Sequence, residues 1–229
     1  MKDNKAKTES SESMLTVDTN ASSYPVWVGW DILGSIGEKV RAFVNPGMAY
    51  MVTDEGAKQH ARKAQESLEI SGIPTHLFII PSGETSKTLE TVRLIYQWLA
   101  TLKAERSHLI IAVGGGVVGD LAGFVAATFL RGLNLVQVPT SLLAMMDASI
   151  GGKTGVDLPE GKNPVGAFHQ PRFVLEDIQT LQTLPKRELI SGWAEAIKHG
   201  LILDECLLQI FESRVDSIIS LDQQICTDV

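Results

Sequence analysis

A run of five apolar residues, followed by three glycines and a long apolar stretch, constrains the fold of this chain most strongly. Leu109–Val113 has the length and β-branched content of a fully buried strand. Gly114–Gly116 lack a Cβ, so they can adopt positive φ and let a ligand approach the backbone. Val117–Leu130 has helical length. A helix beginning there would direct free N–H groups at the turn, which predicts an anion-binding site; a tight turn without a ligand has the same pattern.

Strands and helices alternate along the rest of the chain up to residue 182, which predicts an α/β fold with a parallel, doubly wound sheet. The predicted strands are residues 14–19, 24–29, 49–53, 75–80, 109–113, 133–138 and 173–175, the first two joined by a hairpin turn at 20–23. The predicted helices are 32–43, 57–70, 89–102, 117–130 and 142–150. Thr140 or Ser141 would cap the last helix. Residues 151–155 form a second glycine loop, and residues 157–171 are predicted to be irregular.

The periodicity changes near residue 183, where only helical spacing remains. Thr183 is predicted to cap a helix that has Pro185 in its first turn. We therefore expect a sheet-containing domain over residues 14–182 and the beginning of a helical domain over 183–229. Residues 1–13 are polar, with no apolar segment of a secretory signal, and are predicted to be a disordered tail.

Composition excludes several classes of function. The chain has 229 residues and a formal net charge of −7, without the basic patch of a nucleic-acid-binding protein. No apolar run reaches the roughly 18 residues of a membrane span. Two cysteines give no disulfide framework, so the cytoplasm is the expected compartment.

Polar residues follow several predicted strands, where ligands collect in open α/β sheets. Asp54 is placed either to accept hydrogen bonds from a ribose or to cap the next helix. Two lysines and an amide among small residues suit a phosphate, although solvated side chains would have the same spacing: the set is Asp147, Lys153, Lys162 and Asn163. Glu195, Lys198 and His199 share one helical face, which is either a metal-binding face or a solvated one.

Several motifs in order resemble the 3-dehydroquinate synthase family from about residue 24 to the end. They are Val113–Asp120 (VGGGVVGD), Gln137–Leu143 (QVPTSLL), Asp147–Thr154 (DASIGGKT), Gly161–Asn163 (GKN), Gly166–Pro171 (GAFHQP) and Gly192–Gly200 (GWAEAIKHG). The resemblance implies a Rossmann-like NAD-binding domain followed by a helical domain. It also implies conversion of the sugar-acid phosphate DAHP into 3-dehydroquinate and phosphate in the shikimate pathway, with NAD⁺ and a divalent metal (Zn²⁺ or Co²⁺) as cofactors.

The resemblance also implies roles for individual residues. The implied NAD⁺ contacts are Asp54, Ser82, Gly83, Glu84, Thr85, Ser86, Lys87, Gly114, Gly115, Gly116, Val117, Val118, Gly119, Asp120, Thr140, Ser141, Lys153, Lys162, Thr180, Leu181, Gln182 and Thr183. The implied substrate-binding residues are Asp147, Lys153, Asn163, Lys198 and Arg131, with Arg131 acting across the interface of a homodimer. Glu195 matches a metal ligand, whereas His199 does not carry over because the family tolerates Tyr there.

The sequence departs from the family pattern at Trp193, Asp157 and Pro164, which affects packing near the substrate loop more than chemistry. The family's later His-rich motif, which supplies two metal ligands, has no counterpart in the sequence. We therefore expect the chain to be the N-terminal part of a longer protein and to be inactive alone.

Three other functions remain open at this point. One is a sugar-phosphate cyclase with a different substrate. Another is an iron-dependent alcohol or glycerol dehydrogenase, which Pro139–Ala144 disfavours because it lacks a Gly-Thr-Gly-Ser run. The third is a non-catalytic NAD-binding module.

Overall fold

The computed structural model describes residues 12–19 and 22–228, which form an α/β fold. The strands are β1 (Glu12–Asp18), β2 (Ser23–Gly29), β3 (Ala49–Asp54), β4 (Thr75–Ile80), β5 (Leu109–Gly114), β6 (Asn134–Pro139), β7 (Lys153–Leu158), β8 (Gly161–Phe168) and β9 (Phe173–Asp177). The helices are α1 (Ile36–Phe43), α2 (Lys58–Ile70), α3 (Leu89–Thr101), α4 (Gly116–Thr128), α5 (Lys186–Leu203), α6 (Glu205–Ser213), α7 (Val215–Ile219) and α8 (Gln223–Asp228).

A seven-stranded sheet organises the molecule, in the order β1-β2-β9-β6-β5-β3-β4. β1 and β2 are antiparallel, and the other neighbouring strands are parallel. The chain moves outward from β3 to β4 but in the opposite direction from β5 to β6. This reversal places a topological switch point between β3 and β5, and ligands bind outside the carboxyl ends of strands at such a point.

Helices cover both faces of the sheet, as the predicted doubly wound architecture requires. On one face, Ile36 and Val40 of α1 and Leu68 of α2 pack against the sheet. On the other face, residues of α3 and α4 such as Ile95 and Leu121 pack against it. β5 is buried along its whole length because it lies between these two layers, which explains its continuous apolar sequence.

The predicted N-terminal hairpin is confirmed, with β1 beginning earlier than expected. Residues 12 and 13 belong to β1, so the predicted tail over residues 1–13 is wrong at its end, and the rest of that tail lies outside the described residues. Residues 20 and 21 of the predicted turn also lie outside them. The Thr19 amide donates to the Ser22 carbonyl at 2.9 Å, which closes the hairpin.

The prediction of irregular structure over residues 157–171 is wrong. β7 and β8 form an antiparallel hairpin in which Gly155 lies opposite Gly166. A Cβ on Gly155 would lie 2.8 Å from the Val165 carbonyl oxygen, and one on Gly166 would overlap the Thr154 carbonyl oxygen. The glycines therefore permit close approach of two strands instead of breaking them. Pro164 is tolerated because β8 is an exposed edge strand.

Two helix predictions also need correction. Residues Ala144–Ala148 form a π-helix, so the predicted helix over 142–150 is not a regular α-helix. The helical turn that leads into it begins at Leu142, and Ser141 caps that turn because its Oγ accepts from the Ala144 amide at 3.4 Å. Thr183 does not cap α5: its hydroxyl donates to the Thr180 carbonyl at 2.9 Å, and Pro185 is the N-cap.

The helix predicted over residues 117–130 begins one residue earlier and ends at Thr128, before a 3-10 turn at Phe129–Arg131. All elements after Pro185 in the described part of the chain are helices. None of the described helices combines the length and the apolar character that a membrane span requires.

Candidate functional site

The three glycines at the end of β5 and the start of α4 leave the N-terminus of α4 uncovered, although not by adopting positive φ. Gly115 is extended, with φ −74°. A Cβ on Gly114 would lie 2.6 Å from Val118 Cγ2, and one on Gly115 would lie 3.3 Å from Ser141 Oγ, so both positions are restricted by packing. A Cβ on Gly116 would meet only Ala148 Cβ, at an ordinary 3.4 Å. The first amides of α4 have no acceptor within the helix, which leaves them available to an anion.

Asp54 and the glycine turn lie at the ends of adjacent strands on the two sides of the switch point. Thr53 of β3 is paired with Val113 of β5, so Asp54 and Gly114 follow at the same edge of the sheet. Asp54 Oδ1 accepts a hydrogen bond from the Ala57 amide at 2.8 Å. The alternative that Asp54 caps the entry to α2 is therefore realised, and this bond also fixes the carboxylate beside the switch point. Ser82 Oγ reinforces the same turn by accepting from the Gly56 amide at 3.0 Å.

The loop before α3 contacts the helix that begins at the glycine turn. Lys87 is only 4% exposed and forms an ion pair with Asp120 on α4. Burial raises the pKa of Asp120, and the hydrogen bond from Lys87 opposes this effect. At the rim, Lys162 Nζ of β8 lies 3.1 Å from Glu84 Oε1, which connects the loop to the β7–β8 hairpin.

A pocket of about 440 Å³ lies beside the N-terminus of α4. It brings together three of the predicted substrate-binding residues, Asp147, Lys153 and Asn163, with the predicted cofactor contact Asp120. The remaining lining residues are Ala148, Ile150, Thr154, Gly155, Gly166, Ala167 and Phe168. Two carboxylates, one ammonium group and one amide therefore face a common cavity. Such a set can hold a polar molecule that carries both hydroxyl groups and a negative charge.

Each of the three substrate-binding candidates comes from a different element. Asp147 lies on the π-helix, Lys153 begins β7, and Asn163 lies on β8 with φ +57°. The backbone N–H of Asn163 donates to Asp157 Oδ1 at 2.7 Å. This bond stabilises a backbone conformation that is uncommon for a non-glycine residue. Their convergence depends on the β7–β8 hairpin.

Sequence reasoning missed Phe168 as a pocket residue, although the signal was available. Lys153 is paired with Phe168 across the hairpin, and both line the cavity. Had the two glycine-rich segments been interpreted as paired strands, the alternation of side chains would have placed Phe168 beside Lys153.

The predicted cofactor contacts after β6 and β9 are largely buried. Thr140 and Thr180 are buried, and the Thr180 hydroxyl donates to the Asp177 carbonyl at 2.7 Å. Leu181 packs in the apolar cluster with Leu142, so only its backbone remains available to a ligand. Gln182 and Thr183 are exposed, and Thr183 Oγ1 lies 2.8 Å from His60 Nε2.

Arg131 and Lys198 do not line the pocket. Arg131 is exposed and follows the C-terminus of α4, about 20 Å along the helix from the glycine turn at 1.5 Å per residue. Lys198 forms an ion pair with Glu195 on α5, and this hydrogen bond lowers the pKa of Glu195. His199 Nε2 lies 3.3 Å from the same carboxylate.

The described residues do not complete a metal site. Glu195 and His199 offer two donors, but no group of three His, Cys, Asp or Glu side chains able to hold an ion occurs within residues 12–19 and 22–228. A catalytic zinc commonly has three protein ligands. The donor set of α5 therefore does not by itself fit such an ion.

Residues 77–191, half of the chain, match the family model for the 3-dehydroquinate synthase N-terminal region. A curated 3-dehydroquinate synthase from Symbiobacterium thermophilum is 49% identical over 201 residues, covering 87% of this chain and 56% of its own length. The chain thus spans little more than half the length of this relative.

Solved structures agree with the sequence match. A 2-deoxy-scyllo-inosose synthase complexed with carbaglucose-6-phosphate, NAD⁺ and Co²⁺ has a TM-score of 0.78 and 32% identity, over 83% of this chain and 52% of the other. A 2-epi-5-epi-valiolone synthase from Streptomyces hygroscopicus with NAD⁺ and Zn²⁺ bound has a TM-score of 0.77 and 29% identity, over 89% of this chain and 56% of the other. The matched motifs, the sheet with its glycine turn and these similarities together place the chain in the 3-dehydroquinate synthase family.

Proposed function

We propose that this chain forms the NAD⁺-binding and phosphate-binding part of a cytoplasmic 3-dehydroquinate synthase, which converts DAHP into 3-dehydroquinate and phosphate. One observation carries the proposal: Asp147, Lys153 and Asn163 converge on a single pocket beside the glycine turn of α4. The curated relative of that name, at 49% identity, supports this substrate over those of the cyclases at 32% and 29% identity.

The residues at the switch point fit a dinucleotide. The N-terminus of α4 suits the pyrophosphate because Gly116 has no Cβ to obstruct it. In addition, the first backbone N–H groups of a helix have no acceptor within the helix. Asp54, at the end of the adjacent strand, suits a ribose hydroxyl. When bound, NAD⁺ would supply a reversible hydride acceptor for a secondary alcohol, so the overall reaction is redox-neutral. Lys87 keeps the Asp120 carboxylate fixed at the boundary between the dinucleotide and the pocket.

The pocket residues would position the sugar-acid phosphate. Lys153 supplies a cation for an oxyanion of the substrate, while the Asp147 carboxylate accepts from hydroxyl groups and the Asn163 amide both donates and accepts. Arg131, exposed at the far end of α4, would reach a substrate only in a second subunit, which is consistent with action across a homodimer interface. Lys198 would need to exchange its ion pair with Glu195 for a contact with substrate.

Glu195 would contribute one ligand to a divalent metal site that other parts of the full-length protein complete. Because the described residues offer only Glu195 and His199 there, we expect the 229-residue chain to lack turnover. Phosphate release from DAHP with NAD⁺ and Zn²⁺ should not exceed that of the Glu195→Ala variant.

The proposed reaction is tested in a chimera that joins this chain to the remaining part of the S. thermophilum relative. The chimera should release phosphate from DAHP, and Asn163→Gly, which keeps the positive φ accessible while removing the amide, should abolish release without weakening NAD⁺ binding. Preference for sedoheptulose 7-phosphate would indicate another cyclase. Net NADH production from an alcohol would indicate a dehydrogenase, and NAD⁺ binding by a folded chimera without turnover of any substrate would indicate a non-catalytic module.

A further inference from the structure

The segment of residues 147–153 carries Asp147 and Lys153, two of the charged residues that line the pocket. A buried carboxyl group that has no role in the proposed function contacts this segment. Glu176 is on β9 and is only 6% exposed. Its side chain is on the same face as Val174, which packs with Tyr24 and Val26 of β2, and its register partner on β2 is Val28. An acidic side chain in such apolar surroundings is uncommon unless it is paired.

Among the residues that the structure describes, the polar partner of the Glu176 carboxyl is a hydroxyl group. Ser149, itself buried, donates from Oγ to Glu176 Oε1 at 3.5 Å, at the long limit of a hydrogen bond. The neighbouring elements contribute the Tyr24 hydroxyl from β2 and the Gln137 amide from β6, and these are bonded elsewhere, to the Gly151 amide and the Gly119 carbonyl. No ion pair to Glu176 occurs among the residues that the structure describes.

The hydrogen bonds from Ser149 to Glu176 and from the Gly151 amide to Tyr24 attach one short segment, residues 147–153, to the sheet. Ser149 follows Asp147 by two residues, and Gly151 precedes Lys153 by two. The Gly151 amide donates to Tyr24 Oη at 3.0 Å, and its carbonyl accepts from Gln170 Nε2 at 3.1 Å. The Gly152 carbonyl also accepts from the His169 amide at 2.8 Å. The Ser149–Glu176 contact differs from these three bonds because it involves an acidic group.

We propose that Glu176 is a positioning residue: while its carboxyl is neutral it stays buried and accepts from Ser149, which fixes residues 147–153, and when it ionises it favours an open state of that segment in which water solvates the carboxylate. A charge at this place would be buried with a single distant hydroxyl as its partner, which costs more free energy than burying the neutral acid. Burial raises the pKa of Glu176 to about 8, and the Ser149 hydrogen bond only partly offsets this effect. The consequence for substrate binding rests on the proposed function, because that function makes Asp147 and Lys153 the substrate contacts.

The sign of the pH dependence follows from the raised pKa. In an opened segment the carboxyl would titrate near its ordinary value of about 4.3. Between that value and about 8, the closed state binds more protons than the open state, so opening is favoured as the pH rises. The opening equilibrium should increase roughly tenfold per pH unit in this window and become constant above it.

The test is amide hydrogen exchange of residues 147–153 in the 229-residue chain at pH 5.5 and 7.5, corrected for intrinsic exchange rates. The wild type should open about 100-fold more at the higher pH, whereas Glu176→Gln, which cannot ionise, should show no such increase. Glu66→Gln, at an exposed position of α2, is the matched control and should retain the wild-type profile. An unchanged pH dependence in Glu176→Gln, or an equal change at amides throughout the sheet, would overturn the proposal.

A second variant keeps the test decisive if Glu176→Gln does not fold. Ser149→Ala removes the hydroxyl but retains the acid, so protection of residues 147–153 should fall at pH 5.5, and wild-type protection there would overturn the proposal. Neither measurement uses NAD⁺ or a sugar phosphate. Failure of the proposed function would therefore appear only in the phosphate-release assay, and failure of this proposal only in the exchange data.

Discussion

The sheet region (residues 12–19 and 22–183) and the helical region (residues 186–228) differ in how completely they bury their apolar side chains. α4, in the sheet region, has eight buried residues among its thirteen, including large ones such as Leu121 and Phe124. α5, in the helical region, has three buried residues among its eighteen, and all three are Gly or Ala. The sheet region therefore contains its own core, whereas among the large apolar side chains described in the helical region only Phe211 and Ile218 are buried.

Several exposed apolar side chains of the helical region line one groove of about 320 Å³. Its lining consists of Ile190, Trp193, Ala194, Ile197, Phe211, Val215, Ile218 and Ile219. Apolar patches of this kind are typical of surfaces that another polypeptide covers. The contrast teaches that the proposed dinucleotide site and the pocket lie on a region with its own core, whereas the α5 face with Glu195 does not.

The largest expected effect is a difference in stability between core positions of the two regions. Phe173→Ala should lower the free energy of unfolding by about 3–5 kcal/mol, because Phe173 is fully buried and its ring contacts Trp27 edge-to-face at 5.2 Å. Ile202→Ala should change it by less than about 0.5 kcal/mol, since Ile202 is 69% exposed. Urea unfolding of both variants measures the difference, and equal losses would break the comparison.

The second effect concerns self-association through the helical region. Leu201→Lys should weaken association of the chain by about tenfold or more, because burying a leucine contributes about 1.5–3 kcal/mol and Leu201 is 66% exposed on α5. Sedimentation velocity over a concentration series measures this. Ile70→Lys is the matched control: Ile70 is exposed on α2 of the sheet region and should not affect association. Similar behaviour of the two variants would remove the distinction between the regions.

The smallest effect lies at the boundary between the two regions. The Thr183 hydroxyl donates its single hydrogen to the Thr180 carbonyl, so it must accept from His60 Nε2–H. His60→Ala should therefore lower the free energy of unfolding by about 1 kcal/mol. Denaturant unfolding at pH 7.5 measures it, and an unchanged midpoint would contradict the bond.

The same histidine gives a pH dependence with a defined sign. Burial lowers the pKa of His60, with Asp177 opposing and Lys63 adding to this shift. The unfolded chain therefore takes up the proton more readily, and the wild type should lose stability relative to His60→Ala as the pH falls below the ordinary histidine pKa of about 6.5. A constant difference between pH 5 and pH 8 would contradict this assignment.

The parts of the fold that could be predicted from sequence are those in which one physical requirement controls the pattern. Burial on both faces makes Leu109–Val113 continuously apolar, and helical spacing identifies α2 and α3, so these elements lie close to their predicted positions. Residue types alone grouped Asp147, Lys153 and Asn163 with Lys162 as a set suited to a phosphate or to solvent, and the family resemblance then assigned the first three to the substrate. No local pattern could show their convergence, because it relates a π-helix to two strands of a hairpin.

The wrong predictions about glycine segments share a cause, because glycine can either interrupt a regular element or allow two backbones to pack closely. Gly155 and Gly166 were interpreted as breakers, but they allow β7 and β8 to approach closely. Gly114–Gly116 were expected to provide positive φ. Instead, Gly114 and Gly115 allow close packing against Val118 and Ser141, and Gly116 leaves the N-terminus of α4 uncovered. The buried Glu176 is a different case: it lay just beyond the predicted strand 173–175, where an acidic residue is typically exposed, whereas the strand extends to Asp177.

The central claim is that the sheet region binds NAD⁺ at the glycine turn without help from elements beyond this chain. Calorimetric titration of the 229-residue chain with NAD⁺ tests it most directly. The wild type and Gly34→Val should bind alike, since a Cβ on Gly34 meets no atom within 4 Å. Gly116→Val should lose binding while keeping its unfolding midpoint, because its side chain would occupy the approach to the α4 amides. Absence of binding by the wild type, or wild-type affinity in Gly116→Val, would contradict the account.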